Sequence, residues 1–573
     1  MPTATMPDRA ETTRRRFLTS LTAAGVTSGL FGETLWARLQ QAAASRVTPA
    51  MVREAAALAG LALSDTEQQG MVATLNRILT RADDLHRSPP ENDAASPLVF
   101  DPRVPGFPID LPRREPRTSQ PPRLTRPASL DDLAFWPVLH LADLVRRRVV
   151  TAVELAELYL RRLERYNAKL NCVVTLTPER ALDRAKALDR ELAAGRYRGP
   201  LHGIPWGAKD IIAVRGYRTT WGAAPFESRV IDADATVVER LDAAGAVLVA
   251  KLTTGELAFG DQWYGGRTNN PWNPAEGSSG SSAGSGAAPA AGLVGFAIGS
   301  DTGGSILSPS VRCGVVGLRP TFGRVSRHGV MAAGWTLDKV GPMCRTAEDC
   351  AIVLGAIAGP DGRDLAVPER IPFVWDARES PRGRTVGVVE GLVESDPDAA
   401  ARANNLRALD ALRAAGLAIK PIGVPRSDLT YFIEYTERAA GFETFVQRGE
   451  DAGLRRQQHR NELRAYHLVT AVDYLQANRE RMRLMAAYAR ATRDVDVVVA
   501  GRVTLDAATS LNPLLSLTGH PTVAVPTGFR ANGTPTGLTL AGRLYDEAGL
   551  LVVARAVEAA TGLGGRRPVL DQP

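Results

Sequence analysis

A chain of 573 residues with 44% apolar side chains is long enough to bury a large core. Its 69 basic and 62 acidic side chains leave a net charge of only +7. With no long Lys/Arg block and no aromatic-and-basic RNA motif, that excess gives no footprint for nucleic acid. Four scattered cysteines, Cys172, Cys313, Cys344 and Cys350, argue against a disulfide framework, and none forms the CxxC pairing of a zinc site.

The first elements read as an address. Residues 13–18 are "TRRRFL", with Arg14 and Arg15 ahead of a mildly apolar run that ends near Phe31, and "AAA" at 42–44 offers a cleavage point. This is the layout of a twin-arginine export signal over residues 1–44. It predicts a periplasmic or extracellular protein, cytoplasmic if the signal is not used. The other reading is a basic, frayed N-terminus. The run is too short and too rich in Thr and Ser for a stable membrane span, and no later segment is long and apolar enough for one.

Residues 45–88 read as a helical hairpin. Pro49 suits a first helical position, and Ser64 with Glu67 has capping-box spacing. Met71, Leu75, Ile78 and Leu79 then form one apolar stripe. This stretch resembles the small C subunit of tRNA-dependent amidotransferases; a plain packing hairpin is the alternative. Prolines then crowd residues 89–128, an extended tether with little regular structure that suits the surface of a larger domain.

From residue 129 to 573 the pattern is α/β. Thr151 and Glu154 cap a helix that turns Leu155, Leu158 and Leu163 inward. "VVERLDAAG" is a helix closed by Gly245, and "AVLVAKL" after it a buried strand. Further buried strands start at Thr385, Val495 and Thr522. One large mixed, twisted sheet covered by helices on both faces is the economical architecture.

Two pieces crowded with small residues, "GSSGSSAGSGAAPAAGL" (277–293) and "GSDTGGSILSPS" (299–310), lie inside this pattern. They flank a helix-then-strand run, so they are not a linker, and neither has the P-loop sequence. Nucleophilic catalysis is the remaining option. A serine hydroxyl needs a base within hydrogen-bond reach to attack an amide. None of the seven histidines sits in a triad motif. A lysine serves if burial keeps it neutral, and Lys209 in "GIPWGAKDII" precedes the apolar pair Ile211 and Ile212.

Several motifs in order carry a resemblance: "GIPWGAKD", "GSSAGSGAAPAAGL", "AIGSDTGGSI", "CGVVGLRPTFGRVSRHGV", "TLDKVGPMCRTAEDCA" and "LTGHPTVAVPTG". Over residues 130–565 the chain resembles the amidase signature family, serine hydrolases with a Ser–cis-Ser–Lys triad. The resemblance implies Ser305 as nucleophile, Lys209 as base and Ser281 as proton relay, with Gly280 easing the crowding of the cis bond. Ser281 is chosen over Ser278, Ser279 and Ser282 by alignment with the family's pattern and its separation from Ser305. The N–H groups of Thr302, Gly303 and Gly304 would form the oxyanion hole, supported by Asp301. No metal or organic cofactor is implied. The expected substrate is a small-molecule amide, and the expected state a monomer or homodimer.

The pattern departs from the family at Leu307, where many members have Arg beside the aspartate equivalent to Asp301. Arg312 either supplies that charge or lies on the surface. Three functions stay open: an amide hydrolase working alone, a glutaminase like the catalytic component of the tRNA-dependent amidotransferases, and a non-catalytic amide-binding protein. Residues 365–490 are expected to shape the substrate pocket. Trp263 and Tyr264 either line it or simply pack.

Overall fold

The structure, a computed structural model, describes residues 46–571 apart from 88, 89, 91, 93, 95, 368 and 505. The export-signal reading of residues 1–44 lies outside the described residues. The chain divides after Pro90 into two compact units.

Among its described residues the first unit is a pair of helices, α1 (Pro49–Leu58) and α2 (Asp65–Arg87). Pro49 opens α1, with Thr48 accepting from the Met51 N–H. Ser64 and Glu67 exchange backbone-to-side-chain bonds of 2.7 and 3.4 Å, which ties off two of the orphan donors of a helix start. The apolar stripe is broader in sequence than in space, because Ile78 is 53% exposed while Met71, Leu75 and Leu79 are half-buried.

The second unit is built on an eleven-stranded sheet. In chain order its strands are β1 (Val173–Leu176), β2 (Pro205–Lys209), β3 (Val247–Leu252), β4 (Phe296–Asp301), β5 (Val316–Arg319), β6 (Lys339–Cys344), β7 (Thr385–Val388), β8 (Ala418–Pro421), β9 (Val497–Gly501), β10 (Thr522–Phe529) and β11 (Pro535–Gly542). They lie in the order β1-β3-β2-β4-β6-β5-β10-β11-β9-β7-β8. β3, β2 and β4 run parallel, the five pairings from β4 to β9 are antiparallel, and β9, β7 and β8 are again parallel.

Central strands such as β3 and β4 are near-continuous apolar runs because both faces are covered, whereas the edge strand β8 is largely exposed. Val247 and Val249 of β3 enter one core while Leu248 enters another, and in β4 Ala297 opposes Phe296 and Ile298 in the same way. Trp206 of β2 stacks on Phe296 of β4 at 6.1 Å between centroids, locking these two strands together. The predicted capping box at Thr151 forms, and Leu155, Leu158 and Leu163 are fully buried. The four cysteines are free and buried.

Three helices complete the setting of the site. α3 (Ala283–Ala290) is buried along its whole length, which its small side chains permit. α4 (Leu307–Cys313) follows the second small-residue loop. α5 (Leu429–Gly441) comes from the segment expected to shape the pocket. Among the described residues no helix is long and apolar enough to cross a membrane.

Candidate active site

Strand β2 delivers Lys209 to the end of the sheet, where it is fully buried. Its Nζ donates to the Ser281 hydroxyl at 2.7 Å and to the Ser300 hydroxyl at 2.9 Å. Burial pushes the ammonium down to about 7, although Asp301 and Asp338 pull it up. At neutral pH a large share of the lysine is therefore uncharged and able to take a proton.

The four serines of the first loop that precede α3 have separate employments. Ser278 bonds to the Ser279 carbonyl, and Ser279 pairs with the Ser308 hydroxyl at 2.6 Å. Ser282 is stitched to Ser300 of β4, donating to its carbonyl at 3.0 Å and accepting from its N–H at 3.2 Å. The Ser281 hydroxyl alone among them meets Lys209. The peptide bond between Gly280 and Ser281 is cis. Gly280 has a second reason to lack a side chain, since a Cβ there would lie 1.8 Å from the Gly260 carbonyl.

Ser305 is half-buried, and its carbonyl accepts from the Ser282 N–H at 3.1 Å, which joins the two small-residue loops. Its hydroxyl takes no hydrogen-bond partner among the described residues. Asp301, at the end of β4, organises the turn before it. Its carboxylate accepts from the N–H groups of Gly304 and Ile306, each at 2.8 Å, and of Leu307 at 3.4 Å. The sequence reading of three oxyanion donors is corrected here, because the Gly304 N–H is committed to Asp301. Those of Thr302 and Gly303 have no acceptor among the described residues. Gly304 is instead required by its backbone: its φ is +126°, and a Cβ would meet Val503 and Asn512 within 3 Å.

The leucine two residues after Ser305, where many members have arginine, is also explained, and not by Arg312. That side chain forms an ion pair with Glu276 and donates to the Gly277 carbonyl at 3.3 Å. Arg319 of β5 takes the role, with Nη1 3.1 Å from Asp301 and both residues fully buried. Burial alone pushes the Asp301 carboxyl up, but Arg319, Lys339 and the turn N–H groups together hold it below its ordinary value. Leu307 is fully buried and contributes packing.

Arg319 leads to residues that the sequence reading missed. Its Nη1 also donates to Asn512 at 2.8 Å and Ser516 at 2.7 Å, from α6 (Asn512–Thr518). Asn512 in turn donates to the Gly303 carbonyl at 2.6 Å, fixing the loop from the far side. From α5, Glu434 reaches over Gly303, 3.3 Å from where a Cβ would stand. Burial pushes its carboxyl up, against the pull of Arg438, which it pairs with at 2.8 Å. Trp263 and Tyr264 pack against each other with ring centroids 4.7 Å apart. The Trp263 ring also covers Gly265.

A buried, partly neutral lysine bonded to a serine, beside a second serine on a glycine turn, is equipment for acyl transfer. The Amidase family model matches residues 154–551. The chain belongs to the amidase signature family. It is 36% identical to the A subunit of the glutamyl-tRNA(Gln) amidotransferase of Methylococcus capsulatus, over 75% of this chain and 97% of that protein. Against the same-named protein of Ralstonia nicotianae the identity is 37%, over 73% and 96%. Among solved structures, the native peptide amidase of Stenotrophomonas maltophilia superposes with a TM-score of 0.68 at 29% identity, covering 77% of this chain and all of that one. The chain is thus an amide-hydrolysing enzyme on the amidase signature fold.

Proposed function

We propose that the chain cleaves small carboxylic amides to acid and ammonia or amine through an acyl-enzyme on Ser305. The observation that carries this reading is the 2.7 Å bond from Lys209 to Ser281, with the lysine brought down to about 7 by burial. Neutral Lys209 draws the Ser281 proton, Ser281 takes that of Ser305, and Oγ of Ser305 adds to the amide carbonyl carbon. The N–H groups of Thr302 and Gly303 stabilise the resulting oxyanion. As the C–N bond breaks, the proton on Lys209 returns through Ser281 to the departing nitrogen. Water then loses a proton to the same relay, its oxygen adds to the acyl carbon, and Ser305 leaves reprotonated.

Ammonia release from a panel of aliphatic, aromatic and amino-acid amides, wild type beside Ser305→Ala, tests this. Release that drops by about 10⁴-fold or more in the variant is expected; equal release by both overturns the assignment of Ser305.

The amidotransferase relatives favour one second reading, in which glutamine is the amide and the ammonia passes to a partner. Co-purification with a large partner protein supports it, and a monomer or homodimer in light scattering opposes it. Export is part of the first reading: Arg14→Lys with Arg15→Lys should retain the protein in the cytoplasm, and unchanged distribution refutes it.

A further inference from the structure

Behind Thr302 lies a cavity of about 90 Å³ whose floor includes Ser300 and Thr302 and whose sides include Met331 and Trp335. Ala94 and the largely exposed Leu98, which precede the segment matched by the family model, also line it. These residues belong to a strap that is pinned at both ends. At one end Asn92 is 9% exposed and fully engaged. Its Nδ2 donates to the carbonyls of Ala332 and Gly441, both at 3.1 Å, and its Oδ1 accepts from the Ala332 N–H at 3.0 Å. At the other end the Phe100 ring lies 3.4 Å from the Arg481 guanidinium and edge-on to Phe322.

Asn92 lands directly on the turn 332–338, and Phe100 reaches it through Arg481. Arg481 holds the Thr336 hydroxyl at 2.8 Å and its carbonyl at 2.9 Å. Asp338 grips the N–H groups of Ala333 and Gly334 and accepts from the Thr302 hydroxyl at 2.6 Å. Hydrogen bonds therefore tie the strap to the turn, and the turn to the loop that carries Ser305. The lining also holds the polar residues Arg327, His328, Asp338, Lys339, Arg363 and Asp364, and most of these are engaged elsewhere: Asp338 with Thr302 and the turn, Arg327 with Asp364 at 2.9 Å, Arg363 with Glu239, and Lys339 with the Ser516 carbonyl at 3.3 Å. What they leave for a ligand is mainly hydrocarbon surface.

We propose that the strap formed by Asn92, Ala94 and residues 96–100 is a built-in wall of the acyl pocket, bounding the cavity behind Thr302 so that the enzyme favours amides with a short apolar acyl group. Asn92 acts as a positioning residue that holds the wall in place. This rests on Ser305 being the nucleophile, as proposed above. A pocket of fixed depth discriminates by roughly 10-fold or more for each methylene it cannot seat.

The test uses the full chain and straight-chain amides from propionamide to hexanamide, together with N-alkyl propionamides that vary the amine side. Wild type should lose at least about tenfold in kcat/KM along the acyl series. Asn92→Ala, and separately replacement of residues 94–99 by glycine and serine, should shrink that ratio at least fivefold, mainly through KM. Asn92→Asp, which keeps the acceptor and loses the donors, should fall between. A fluorophosphonate labelling Ser305 in each variant shows that the core has folded. An unchanged acyl ratio in labelled variants overturns the wall, as does a change confined to the amine series. Wild type that neither hydrolyses nor labels removes the Ser305 reading itself, and the strap proposal with it.

Discussion

Arg312 and Arg319 flank the same bend between α4 and β5, yet they belong to different worlds. Arg312 is 36% exposed and pairs with a half-buried Glu276. Arg319 and Asp301 are both sealed from solvent, and the arginine is shared with Asn512, Ser516 and Thr522. Water screens the first pair, so its worth is small. The second has exchanged water for buried partners at Nη1 and Nη2, so removing either member strands a buried charge. A charge near a catalytic loop is thus not evidence of support for it; burial and shared partners are what separate the two arginines.

The sharpest way to break the comparison is Arg319→Met. It removes the cation bonded to Asp301 and should cost about 3–5 kcal/mol in chemical denaturation, with loss of fluorophosphonate labelling. Next in size is Asn512→Ala, which frees the Gly303 carbonyl while leaving Asp301 paired. Steady-state kinetics should show kcat falling about 10- to 100-fold with KM little changed, because the loop that meets the transition state is no longer fixed. The pH profile comes third. The proposed base must be neutral, and Lys209 is brought down to about 7 by burial. Activity should therefore be full above that value and lost as pH falls through it, by about tenfold per unit on the acid limb. The smallest effect belongs to Arg312→Ala, expected within about 1 kcal/mol in stability and with an unchanged pH profile. A large loss there would erase the distinction between the two arginines.

Much of this was legible in the sequence. Continuous apolar runs such as "AVLVAKL" announced strands covered on both faces, and the mixed sheet follows. Lys209 stood out as a lysine among glycine and isoleucine, and the small-residue loops marked where backbone must approach backbone. Arg319 did not stand out. It ends an apolar strand, "VVGLRP", which shows that it is buried but not that Asp301 and Asn512 wait for it. Its partners come from β4 and from α6, which pairing order across the sheet brings together. Gly304 was misread for a related reason: glycine signals close approach, but whether its N–H meets substrate or Asp301 is decided by the turn. The strap is the extreme case, since a proline-rich run reads as a tether and nothing local reveals that Asn92 fits between Ala332 and Gly441.

The central claim is that one serine of the many in these two loops carries the acyl group. Mapping a fluorophosphonate adduct by peptide mass spectrometry, in wild type and in Lys209→Met, tests it most directly. The account predicts a single adduct on Ser305 that forms about 10²- to 10⁴-fold more slowly without the lysine. An adduct on Ser281, or labelling of Ser305 that ignores the loss of Lys209, would contradict it.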